Sequence, residues 1–130
     1  DEKFDFQKYA DYFRESDFWR KLANVARKAG IKLTYSALLL YFVLKDEEVP
    51  RKSKWLILGA LGYFILPTDI IPDFIPVLGF IDDLSVLLLA LGEVTYHITE
   101  EIQEKAKNKL TDWFETFDEA DVSDIDSQIS

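Results

Sequence analysis

Cysteine is absent and histidine occurs once, at position 97. Without cysteine there are no disulfides, thiolate metal sites or cysteine nucleophiles, and composition leaves the redox compartment open. With one histidine, a histidine-rich zinc site and a two-histidine metal motif are excluded within a single chain. Methionine is also missing and the chain begins at Asp1, so it reads as the trimmed part of a longer product, with no signal-like apolar run at its N-terminus. Sustained alternation of apolar and polar residues is lacking, which argues against a sheet. Apolar runs are short: ten residues from Tyr35 to Leu44 and thirteen from Trp55 to Pro67, against the ~20 needed to cross a bilayer. The dinucleotide glycine fingerprint, the phosphate-binding loop and the Gly-x-Ser-x-Gly elbow are all missing.

The 130 residues are enough for one domain with a real core. Net charge is −9, unevenly spread. Residues 112–130 hold seven of the 24 acids and no base, which leaves 17 acids against 15 bases in the remainder. An acidic tail without a compensating basic patch argues against a nucleic-acid partner.

Helical spacing dominates. Phe6, Tyr9, Phe13, Phe18, Leu22, Val25, Ala26 and Ala29 mark a helical region over 5–29, interrupted at Ser16-Asp17, which is placed to cap a second segment. Gly30 fits a C-terminal stop. Lys21, Arg27, Lys28 and Lys32 make this region basic. It reads as an amphipathic helix packed on its own core, or else as a helix lying on a membrane surface. Thr34 is placed to cap Tyr35–Leu44, and Ser53 to cap Lys54–Leu66, with Lys45–Pro50 as the turn between. Both helices are apolar nearly all round, so they need cover from the bundle, a membrane or a second copy of the chain. From Leu84 to Phe117 a long helical pattern runs, with Gly92 as the place for a bend. Residues 118–130 are acidic and poor in large apolar residues, and read as a solvated, frayed tail. Val122, Ile125 and Ile129 are the exceptions, and would let it dock on a partner.

The densest signal is 66–83. It contains three of the four prolines (Pro67, Pro72, Pro76) and four aspartates (Asp69, Asp73, Asp82, Asp83), with no lysine or arginine between Lys54 and Lys105. Proline lacks an amide hydrogen and disfavours helix in the residue before it, so 66–79 is not one smooth helix. Aspartates suit such a connection: Asp69, Asp73 and Asp82 as caps, and Asp83 in a first helical turn. The sharper alternative is convergence of Asp69, Asp73, Asp82 and Asp83 on Mg²⁺ or another divalent cation, or in proton handling at a membrane. Paired carboxylates also do acid-base work, but no nucleophile or cofactor motif accompanies them, and His97 lies fourteen residues beyond Asp83.

This stretch, Tyr63-Phe-Ile-Leu-Pro-Thr-Asp-Ile-Ile-Pro-Asp-Phe-Ile-Pro-Val-Leu-Gly-Phe-Ile-Asp-Asp83, resembles the YkvA-like family, whose hallmark is proline, any residue, aspartate, two apolar residues, proline-aspartate, then glycine and an aspartate pair. The match is specific there and extends loosely over 35–92. The resemblance implies a small helical domain without established activity, usually described as membrane or membrane-associated, mainly bacterial, and found also in some eukaryotic RING-type ubiquitin ligases. Its motif aspartates fall on Asp69, Asp73, Asp82 and Asp83.

Taken together, these features predict an all-α domain over 1–117 with four to six helices and a buried Pro/Asp-rich connection, followed by an acidic tail over 118–130. The expected role is a non-enzymatic module, cytoplasmic or membrane-associated, whose partner is a membrane surface, another protein or a second copy. The alternative is a carboxylate metal site, structural or hydrolytic.

Overall fold

The computed structural model describes residues 10, 13–65, 83–114 and 119–129. In chain order these form α1 (Glu15–Lys45), α2 (Arg51–Ile65), α3 (Asp83–Glu93), a 3-10 turn (Thr95–His97), α4 (Glu100–Trp113) and α5 (Glu119–Ile129). The fold is all-α, as the spacing predicts, and no strand occurs among the described residues.

α1 is a hairpin rather than a rod. A straight helix of its 31 residues would be about 45 Å long, yet the Glu15 carboxylate lies 3.3 Å from the Lys45 ammonium. The chain reverses at Gly30, with φ 89° and ψ −179°, a region that residues with a side chain avoid. The two limbs, 15–29 and 31–45, then lie side by side. Phe18 stacks on Tyr41 at 5.2 Å between centroids, and the Tyr41 hydroxyl donates to Glu15 at 2.6 Å. Gly30 is thus the stop that its residue type predicts.

Neighbouring cap expectations need correction. The helix resumes directly after Gly30, so Thr34 is interior and buried, and its hydroxyl donates to the Gly30 carbonyl at 2.9 Å. Ser16 and Asp17 sit inside the first turn, behind an Arg14 cap position that makes no side-chain cap bond. α2 begins at Arg51, with the Lys54 amide on the Pro50 carbonyl at 3.1 Å, which places Ser53 within its first turn. The Lys45–Pro50 turn is where the sequence puts it, closed by the Glu48 amide on Asp46 at 3.0 Å.

The second limb is the centre of the core. Tyr35, Ala37, Leu38, Leu39, Leu40 and Val43 are all fully buried, so the limb is enclosed on nearly every side. α2, α3, α4 and α5 each pack on α1. This is the cover that a helix apolar all round requires.

The long pattern expected from 84 onward breaks, over its described residues, into two helices. α3 ends at Glu93, just past the expected bend at Gly92, and the Thr95 hydroxyl closes it on the Leu91 carbonyl at 2.9 Å. Thr99 then caps α4, its hydroxyl accepting from the Ile102 amide at 3.2 Å. A larger departure follows. Residues expected to be a frayed tail form α5, which buries Val122 and Ile125.

Candidate functional site

Asp69, Asp73 and Asp82 lie outside the described residues, as does the side chain of Asp83, whose backbone opens α3. The expected buried connection over 66–82 lies outside them too. Its root is described. Lys21 of α1 donates to the carbonyl of Phe64 near the end of α2 at 2.5 Å, with the ammonium 5.0 Å from the Phe64 ring centre. A cation on the last carbonyls of a helix offsets the negative end of its dipole.

Among the described residues no group of three or more His, Asp or Glu is placed to hold a metal. An open groove of about 400 Å³ between the α1–α2 turn and the start of α4 gathers Asp46, Glu47, Glu48 and Glu101, but Lys45 and Lys105 stand among them. His97 sits on the 3-10 turn with Tyr96 edge-on to its ring at 5.6 Å.

Charge concentrates instead under α5. The Tyr35 hydroxyl donates to Asp126 at 2.6 Å, and the Gln103 side-chain amide donates to the same oxygen at 3.0 Å. Lys107 approaches the other Asp126 oxygen at 3.6 Å, and Lys32 meets Asp124 at 2.8 Å. Burial, then the Asp126 carboxylate, push the Tyr35 phenol far above the ordinary tyrosine value. Asp124 raises Lys32 in the same direction. None of these partners is close in sequence, which is why the tail's acidity alone reads as solvation.

A second flank of α1 is built from rings. Trp19 meets Tyr41 at 4.8 Å and Trp113 of α4 at 5.9 Å, both edge to face. The Lys109 ammonium lies 5.2 Å from the Trp19 ring and 5.7 Å from Trp113. Glu15 is held below the ordinary carboxylate value by the Tyr41 hydroxyl first and the Lys45 ammonium second.

Two of the four bases that make α1 basic therefore have internal partners: Lys21 at the end of α2 and Lys32 on α5. The side chains of Arg27 and Lys28 lie outside the described residues. Phe18 and Leu22 are fully buried, so the described part of the first limb packs on the core. Among the described residues the large apolar side chains left at the surface are Trp55 of α2, Leu89 of α3 and Tyr96, the last 93% exposed. Among the described residues no helix is long and apolar enough to cross a membrane.

A family model described as a protein of unknown function, DUF1232, matches residues 53–89. That window runs from the first turn of α2, through the Pro/Asp segment, into α3. The chain is also 41% identical over 69 residues to the uncharacterized membrane protein YkvA of Bacillus subtilis (strain 168), covering 51% of this chain and 61% of that protein. The chain thus spans less than two thirds of that relative's length. No solved structure matches at a significant level. The window holds the Pro/Asp motif and both helix ends that flank it, and through it the chain is similar to YkvA-like proteins, whose function is unknown.

Proposed function

We propose that the chain is a non-enzymatic module that associates with a membrane surface without crossing it. The observation that carries this reading is the residual apolar surface. In a fold that buries Leu38, Leu39 and Leu40 completely, Trp55, Leu89 and Tyr96 stay exposed. Tryptophan and tyrosine, with an apolar body and a polar edge, suit the boundary between headgroups and acyl chains. The membrane protein named among its relatives supports the same reading. The described helices of the matching window, α2 and α3, are too short to span, and contact with lipid on this reading is peripheral.

The test is co-sedimentation of the full chain with vesicles of neutral and of anionic lipid. Binding should fall about tenfold when Trp55, Leu89 and Tyr96 are replaced together by serine, because each removes apolar area that lipid would cover. A wild-type chain that stays in the supernatant with both vesicle types would refute the reading.

A further inference from the structure

α5 carries Glu119, Asp121, Asp124 and Asp126 within eleven residues and no base. Every polar group shown bonding to Asp124 or Asp126 from α1 and α4 is a donor: the Lys32 and Lys107 ammoniums, the Tyr35 hydroxyl and the Gln103 amide. Tyr35 is itself fully buried beneath that helix. Such a donor set, two cations with an O–H and an N–H between them, fits an anion rich in acceptor oxygens, and the carboxylates of α5 now fill that place. Glu104 of α4 and Asp121 also add negative charge nearby.

The hold of α5 is limited. Among its described side chains the fully buried apolar ones are Val122 and Ile125. The Lys32–Asp124 pair is nearly half exposed on both sides, where solvent screens it. An isolated helix of this length is marginal in water, so releasing α5 and unfolding it go together.

We propose that α5 is an intramolecular cover over a cationic, donor-lined surface of α1 and α4, and that the outside partner of this surface is an anionic lipid membrane. The inference rests on the membrane-surface reading above and adds regulation to it. With α5 docked, its carboxylates occupy the lysines and repel anionic headgroups. With α5 displaced, Lys32 and Lys107 meet lipid phosphate, and the acids move away with the released segment.

The experiment uses the full chain with Val122→Ser and Ile125→Ser, which loosen α5 without changing charge. Circular dichroism confirms that the other helices persist. Co-sedimentation is run at low salt with phosphatidylcholine vesicles and with vesicles containing about 30% phosphatidylserine. The variant should bind the anionic vesicles about thirtyfold more tightly than the native chain, for two lysines gained at an anionic surface. Binding to neutral vesicles should be unchanged. Adding Lys32→Gln and Lys107→Gln should abolish the gain.

Equal binding of native and variant chains to anionic vesicles overturns the cover while leaving membrane association standing. A gain that survives the two glutamine substitutions also overturns it, as does a gain seen only with an acidic peptide or an oligonucleotide. If neither chain binds any vesicle, the membrane reading falls as well. Should the serine variant fail to fold, Asp124→Asn with Asp126→Asn replaces it. Its gain on anionic vesicles should then vanish on adding Lys32→Gln and Lys107→Gln, and a gain that persists overturns the cover.

Discussion

The two flanks of α1 hold their helices by different means. On one side Phe18, Trp19 and Tyr41 stack on one another, Trp113 of α4 adds an edge, and Lys109 sits over both indoles. On the other, the described side chains that hold α5 are the buried Val122 and Ile125 and the carboxylates Asp124 and Asp126. Ring packing depends on buried area and shape, and salt barely affects it. Contacts between half-exposed charges weaken with salt. The same core helix thus has one flank held mainly by ring packing and one whose hold depends more on salt.

The sharpest way to test the ring flank is Phe18→Ala. Phe18 is fully buried and touches Phe13, Trp19, Tyr41 and Phe64. Its loss should cost about 3–5 kcal/mol of stability, read by urea denaturation of the whole domain. If only α5 loosens, the two flanks are less separate than the packing implies.

The hairpin that creates both flanks depends on Gly30. A Cβ there would meet nothing within 4 Å, so any penalty comes from backbone conformation alone. Gly30→Ala should destabilise by about 1–3 kcal/mol. Gly92→Ala, also in open space but in ordinary helical backbone, should instead stabilise by about 0.5–1 kcal/mol. Equal effects at the two glycines would contradict the reversal at residue 30.

Alkali should act on the charged flank, and also at Tyr41 of the ring flank, whose phenol is raised by burial first and the Glu15 carboxylate second. The Tyr35 phenol is raised in the folded chain, so its contribution is complete below the ordinary tyrosine value of about 10 and is lost as pH rises above it. Melting temperature should fall in that range, and Tyr35→Phe should flatten the fall. Acid acts on the other flank. Glu15 is lowered, so its contribution is present above the ordinary value of 4.5 and lost as pH falls through the lowered one. Glu15→Gln should flatten the acid side.

The smallest effect expected is at Ser36, fully buried with a hydroxyl that has no hydrogen-bond partner among the described residues. Ser36→Ala should be neutral or stabilising by up to about 1 kcal/mol, since it removes a polar group without breaking a bond. A clear loss of stability would mean that the hydroxyl does have a partner.

Much of the fold is legible in single residues. Gly30 as a stop, the Lys45–Pro50 turn and the helical spacing of Leu84, Leu87, Leu88 and Leu91 all follow from local rules that need no tertiary context. What the spacing misses is long-range. Nothing local says that the chain doubles back at Gly30 to bring Glu15 beside Lys45. Thr34 has the residue type of a cap, but a helix that resumes at once gives it a carbonyl to bond instead. The stretch from Asp118 reads as solvated because its acids have no nearby bases. Lys32 lies ninety-two residues before its partner Asp124, and only the fold brings them together. Val122 and Ile125 are the local hint that the segment packs. Asp69, Asp73, Asp82 and the Asp83 side chain stand outside the described residues, so titration with a divalent cation is what separates caps from a metal site. On the cap reading, millimolar Mg²⁺ leaves the melting temperature unchanged.

Amide hydrogen exchange across the chain at about 50 mM and about 500 mM NaCl tests the contrast between the flanks most directly, since the higher salt shortens the screening length severalfold. Residues 119–129 should be protected at low salt and open markedly at high salt, while the buried amides of α1 and α4 keep their protection. Exchange of 119–129 at unfolded rates in low salt, or protection there as salt-insensitive as in α1, would contradict it.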